Sequence, residues 1–226
     1  MCGRVVQLID REQLSREYGV KKFADIQEYA RYNVSPTTRI CGIIEDPNGD
    51  REARMMRWGL LPPRIGDPKD FKFATFNARD DKILMSRMYA PAMKKHRCII
   101  PVAGYYEWKK LNAKDKQPYY FHAAHAELIA LAGLWGETVL DGGEVITTCT
   151  IITTHPNEVT KDYHDRMPMI VTPDEQEQWL APDTPLEMVT SMLHPCDRSY
   201  LDIYAVDKAV GRAGYEDPHL IDRVAA

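Results

Sequence analysis

No stretch of this 226-residue chain approaches the run of about 20 apolar residues that a membrane helix needs, and the opening MCGRVVQLIDREQ turns charged too early for a secretory leader. A cytosolic protein is expected, or a nuclear one in a eukaryote. The five cysteines, Cys2, Cys41, Cys98, Cys149 and Cys196, include no CxxC pair and no Cys/His ligand spacing. An odd number without such spacing suggests neither a disulfide framework nor a zinc site. Four of them read as small core residues, and only Cys2 invites another reading. Repeats, low-complexity tracts and long linkers are also missing, so a single domain over residues 1–226 is expected.

What is present is an uneven charge. The net charge is −4, yet residues 51–116 carry 16 Lys+Arg against 7 Asp+Glu, while residues 117–226 carry 6 against 18. A strongly basic middle in an acidic chain is the pattern of one face meeting a polyanion, or of charges that scatter over a solvated surface after folding.

Local signals predict an α+β fold: mainly antiparallel strands forming a barrel-like or two-sheet core, with peripheral helices. Asp10-Arg11-Glu12-Gln13 has a capping-box pattern and Gly19 ends the helix it opens. Residues 40–45 and 54–60 read as strands around the turn Asp46-Pro47-Asn48-Gly49. Segments 98–108, 118–123, 128–135, 145–153 and 200–206 carry strand signals, rich in Ile, Val, Tyr, Phe and Thr. Thr172-Pro173-Asp174-Glu175 and Thr184-Pro185-Leu186-Glu187 place Thr at an N-cap, Pro at N1 and Glu at N3. A further helix is expected through residues 84–88, and residues 32–36 read as a loop.

Several residues have types and positions suited to chemistry. Cys2 directly follows the initiator Met1, and removal of that methionine would expose a terminal 1,2-aminothiol. An α-amine with a reference pKa of about 7.7–8.0 is partly neutral near pH 7, and its thiol lies close enough to close a five-membered ring. Such a pair condenses with an aldehyde to an imine and then to a thiazolidine. The plainer reading is a frayed terminus. Glu107 ends the apolar run Ile99–Tyr106, where desolvation would raise its pKa toward that of a general acid/base, unless strand alternation turns it to water. His164, beside Asp165, is a candidate proton shuttle or an ordinary surface histidine. Asn77 could orient a reacting group, and Arg79 and Arg87 could fork onto phosphates, or these could be a cap and solvated arginines.

Taken in order, Met1-Cys2-Gly3-Arg4, Arg31-Tyr32-Asn33-Val34-Ser35-Pro36, Trp58-Gly59-Leu60, Asn77-Ala78-Arg79, Ser86-Arg87-Met88, Glu107-Trp108-Lys109 and His164-Asp165-Arg166-Met167-Pro168 resemble the SOS-response-associated peptidase family, whose members process abasic sites. The resemblance implies a catalytic Cys2 freed by loss of Met1, with Asn77, Glu107 and His164 around it and DNA held by Arg4, Arg79 and Arg87. It implies no metal or organic cofactor. The expected partner is single-stranded DNA containing an abasic site, also at strand–duplex junctions. No obligate protein partner is expected, and the protein is expected to be a monomer. Any peptidase activity is expected to be confined to self-release or removal of Met1. The chain departs from the family where tryptophans that wedge beside the lesion usually follow the WGL motif, since Pro63-Arg64-Ile65 stands there. Its C-terminal segment Val206–Arg212 follows the family only loosely.

Two other functions compete. Met-Cys-Gly also opens N-terminal-nucleophile glutamine amidotransferases, in which Cys2 would be an acyl-accepting nucleophile and the α-amine its base. A non-covalent single-stranded DNA or protein binding module would leave Cys2 inert.

Overall fold

The computed structural model describes residues 2–225. Fourteen strands run in chain order among these residues. They are β1 (Val5–Ile9), β2 (Val20–Ala24), β3 (Tyr29–Val34), β4 (Arg39–Glu45), β5 (Arg51–Trp58), β6 (Arg64–Ile65) and β7 (Asn77–Arg79). The second half adds β8 (Arg97–Val102), β9 (Gly104–Lys110), β10 (Lys116–Ala123), β11 (Ile129–Leu140), β12 (Val145–Thr154), β13 (Met167–Pro168) and β14 (Leu201–Ala205). The helices are α1 (Arg11–Tyr18), α2 (Asp80–Ile83), α3 (Tyr89–Lys95), α4 (Gln176–Leu180) and α5 (Leu186–Ser191).

The strands form a five-stranded sheet ordered β14-β10-β9-β1-β3 and a nine-stranded sheet with the path β13-β12-β11-β8-β4-β5-β2, to which β6 and β7 attach. The expected mainly antiparallel α+β architecture is therefore present. The core of one large cluster, with Val5, Ile40, Met56, Trp58, Ile100, Tyr105, Phe121 and Ile151, draws on both sheets. Gln7 joins them as well. Its buried amide donates to the Cys41 and Pro101 carbonyls at 2.9 and 2.8 Å and accepts from the Cys41 N–H at 2.7 Å, so a polar group is buried with its bonds made.

Helix α1 follows its sequence signals. The Asp10 side chain accepts from the Gln13 N–H, and Gly19 terminates the helix at φ 65°. Only half the capping box forms, because the Gln13 amide turns to Glu17 and Glu127. The hairpin β4–β5 also matches, in register from Arg39↔Arg57 to Glu45↔Arg51.

Other expectations are corrected. The run 98–108 is two strands, β8 and β9, in different sheets. The chain changes sheet at Gly104, where a Cβ would lie 2.4 Å from the Phe121 carbonyl oxygen, so only glycine allows β9 to approach β10 there. Residues 84–88 are the turn between α2 and α3 rather than a helix. Tyr32, Asn33 and Val34 are not loop but the end of β3, held as a strand by pairing with β1 across Val5↔Val34 and Gln7↔Arg31. The Thr172 capping box is present, though its first turn is 3-10 and α4 starts at Gln176. At the second motif the cap is Pro185 and no side chain caps it, so α5 begins at Leu186.

Candidate functional site

β9 lays out the centre of the site. Residues two apart on a strand share a face, and on β9 Tyr105 and Glu107 do so, both buried, against β1 on one side and β10 on the other. Cys2 lies just ahead of β1, fully enclosed, with the Arg4 N–H directed at its sulfur. Burial first, and the neighbouring Glu107 carboxylate second, push its thiol far above the usual range. The Cys2 thiol is free, as are those of the other four cysteines, all buried.

Glu107 is 4 % exposed, and burial raises its carboxyl above the ordinary value against an opposing pull from His164. The wet-face alternative is thus excluded. His164 comes from the segment between β12 and β13, so the other sheet supplies it. Its Nδ1 is 3.0 Å from the Arg166 N–H, an acceptor contact, and 2.8 Å from Asp165 Oδ1, which calls for a donor. One nitrogen cannot serve both at once, so the Nδ1 proton decides which contact holds. Glu107 and His164 line one open cleft of about 660 Å³ with Lys110, Lys116, Lys161 and Tyr163. A smaller and more enclosed apolar cavity, about 350 Å³ between Leu128, Ile170 and Tyr200, contains neither Glu107 nor His164.

The other predicted residues are placed less simply. Asn77 opens β7, which pairs in parallel with β12; its Nδ2 donates to the Phe76 carbonyl at 3.0 Å and its buried Oδ1 has no partner. Phe76 packs against the core cluster that contains Cys2. Arg79 is exposed, bidentate to Asp81 at 2.9 and 2.8 Å, and close enough to Asp165 to feel its charge. Arg4 Nη1 donates to Asn33 Oδ1 at 2.7 Å and to the Val210 carbonyl at 2.9 Å. Asn33 in turn donates to the Val210, Arg212 and Tyr215 carbonyls, which explains how the loosely matching C-terminal segment is docked. Arg87 stands apart, exposed on a groove with Leu60, Pro62, His96 and Trp135.

Three features escaped the sequence reading. Lys161 rims the cleft although it belongs to the acidic third of the chain, where charge counting gives no hint of it. Lys110 and Lys116 were within the basic segment but not distinguishable from Arg97, which is buried and spends its charge on the Trp179, Met93, Lys94 and Ala181 carbonyls. Phe73 is 76 % exposed beside Phe71, with ring centroids 5.4 Å apart, on the loop that leads to Asn77. The interleaving Lys69-Asp70-Phe71-Lys72-Phe73 was its available signal. At the wedge position Arg64 is exposed, and Val139 and Leu140 of β11 pair with Arg64 and Ile65.

A buried acid, a histidine and a buried cysteine thus come together where the two sheets meet, beside an open cleft whose rim carries Lys110, Lys116 and Lys161 together with Asp162 and Asp165. The profile of the family described as "SOS response associated peptidase (SRAP)" matches residues 1–213, and the chain belongs to that family. It is 35% identical over 224 residues to the abasic site processing protein YoqW of Bacillus subtilis (strain 168), covering 98% of this chain and 99% of the relative. It is 31% identical over 241 residues to the abasic site processing protein HMCES of Xenopus tropicalis, covering 87% of this chain and 71% of that protein. A crystal structure of a protein from Bacteroides thetaiotaomicron superimposes with a TM-score of 0.86 at 27% identity, covering 99% and 100% of the two chains.

Proposed function

We propose that this protein processes abasic sites, joining its N-terminal Cys2 to the ring-opened aldehyde of an abasic site in single-stranded DNA and so shielding the lesion. The observation that carries the reading is the burial of Cys2 beside Glu107, a carboxyl that burial holds above its ordinary pKa in a cleft shared with His164. The names of the relatives support it. Removal of Met1, on which the α-amine depends, concerns a residue outside the described ones.

Lys110, Lys116 and Lys161, with Arg4, Arg79 and Arg87, hold phosphates in this reading. His164 assists opening of the sugar, the Cys2 amine attacks the aldehyde carbon, and Glu107 carries protons as the carbinolamine loses water. Asn77, with its buried carbonyl oxygen unmatched, orients the sugar. The thiol then adds to the imine carbon. Ring closure matters because an open imine can undergo β-elimination and cut the strand. Strand–duplex junctions suit a cleft open at one side, and the Phe71–Phe73 pair offers the stacking area that Pro63-Arg64-Ile65 lack. The protein acts as a monomer without a cofactor, and any peptidase activity is limited to its own terminus.

Intact mass measurement after incubation with a strand carrying one abasic site tests the reading. The expected product is the chain without Met1 plus the DNA, less one water. Unmodified protein would refute it, and ammonia release from glutamine would favour the amidotransferase instead.

A further inference from the structure

The Tyr105 side chain is fully buried. It stacks on Phe121 with centroids 4.8 Å apart and planes 14° from parallel, inside the cluster that also holds Cys2 and Cys196. Its hydroxyl has no hydrogen-bond partner. A buried hydroxyl left unbonded destabilises the fold, and a phenylalanine would fill the same space without that penalty. The clamped ring leaves the O–H only rotation about its C–O bond. Burial first, then the nearby Cys2, Glu107 and Cys196, keep the phenol protonated far beyond neutral pH. A neutral donor without an acceptor, in the cluster that holds Cys2 and on the strand face that carries Glu107, is suited to an acceptor that arrives with the ligand.

We infer that the Tyr105 hydroxyl is a catalytic hydrogen-bond donor to the oxygen on the aldehyde carbon of the ring-opened sugar, engaged as the Cys2 nitrogen attacks that carbon. The inference rests on the covalent reading above and adds a residue to it. In the step the N–C bond forms and the carbonyl π pair moves onto oxygen, where Tyr105 stabilises the developing charge. That oxygen takes the Glu107 proton, and the Glu107 carboxylate takes one from nitrogen. Glu107 then returns its proton to the hydroxyl, which leaves as water to give the iminium. The Cys2 thiol passes its proton to Glu107 as its sulfur adds to the same carbon. Tyr105 neither gains nor loses a proton throughout.

The test compares Tyr105→Phe with the parent on a single strand carrying one abasic site, following borohydride-trapped imine and stable adduct over time. Both should form about 10²–10³-fold more slowly, the usual effect of removing one such donor. Binding to a strand with a tetrahydrofuran site, which has no aldehyde, should be unchanged, and the Tm should be equal or higher. The pH–rate profile should fall evenly without moving its limbs, since the lost group does not titrate; displaced limbs would mean a structural effect on Glu107 and overturn the role. Parental rates, or a lowered Tm showing that the hydroxyl had a partner after all, would also overturn it. A parent that forms no adduct sinks the covalent reading itself. A parent that reacts while Tyr105→Phe keeps pace sinks only the role of Tyr105.

Discussion

Arg166 Nη2 lies 2.6 Å from Asp80 Oδ1, with both side chains about nine-tenths buried, and the same nitrogen donates to the Thr153 carbonyl. This pair fastens the segment carrying His164 to the one carrying Asn77 and Arg79, across the edge of β12. A paired charge inside a protein is tolerable because its partner and its hydrogen bonds replace water, so removing one partner leaves the other stranded. Asp80→Asn should cost about 3–5 kcal/mol in urea unfolding. It should also slow adduct formation at DNA concentrations that saturate the parent, because the His164 segment loses its anchor. Unchanged stability would mean that the pair is not buried in solution.

Glu107 should oppose stability while serving the reaction. Its folded pKa is raised above the ordinary 4.5, so the folded state binds this proton more tightly than the unfolded state does. Its contribution is therefore complete below the unfolded value and is lost as pH rises through the folded one. Glu107→Gln cannot ionise, so it should match the parent below that window and exceed its Tm above it. Its rate of adduct formation should fall by about 10²–10⁴-fold. A Tm difference that does not depend on pH would contradict this account.

DNA affinity should be divided between charge and stacking. For undamaged single strands, log affinity should fall with log salt at about −0.7 per phosphate neutralised. Replacing Lys110, Lys116 and Lys161 together with Ala should flatten that slope if the cleft rim meets the backbone. Phe73→Ala should weaken binding by about 1–3 kcal/mol with the slope intact, as expected for a lost base stack. A slope unaffected by the lysines would place the DNA on another face.

The terminal aminothiol is tested by chemistry alone. Cys2→Ser retains an amine but offers a poorer ring-closing nucleophile, so borohydride should trap an imine while the stable adduct is largely lost. One extra Ala before Cys2 keeps the thiol and moves the α-amine to another residue. That protein cannot form the five-membered ring, and a stable adduct formed at the parental rate would eliminate the thiazolidine mechanism.

Short-range features were legible because their interactions span a few residues. The Asp10 cap, the Gly19 stop, the β4–β5 hairpin and the ordered family motifs all depend on local hydrogen bonding or on residue identity. The alternation of β9 likewise places Tyr105 and Glu107 on one face. Which face is dry depends on β1, β10 and Phe121, brought in from distant parts of the chain. Polar β3 becomes a strand only through its partner β1, and the 98–108 run divides only because Gly104 must meet Phe121. The same holds for charge: Arg97 is consumed by carbonyls inside the protein, whereas Lys161 comes from the acidic third to the cleft. Residue types are set by the sequence, but burial and pairing depend on which distant strands meet, and the tertiary structure alone decided that.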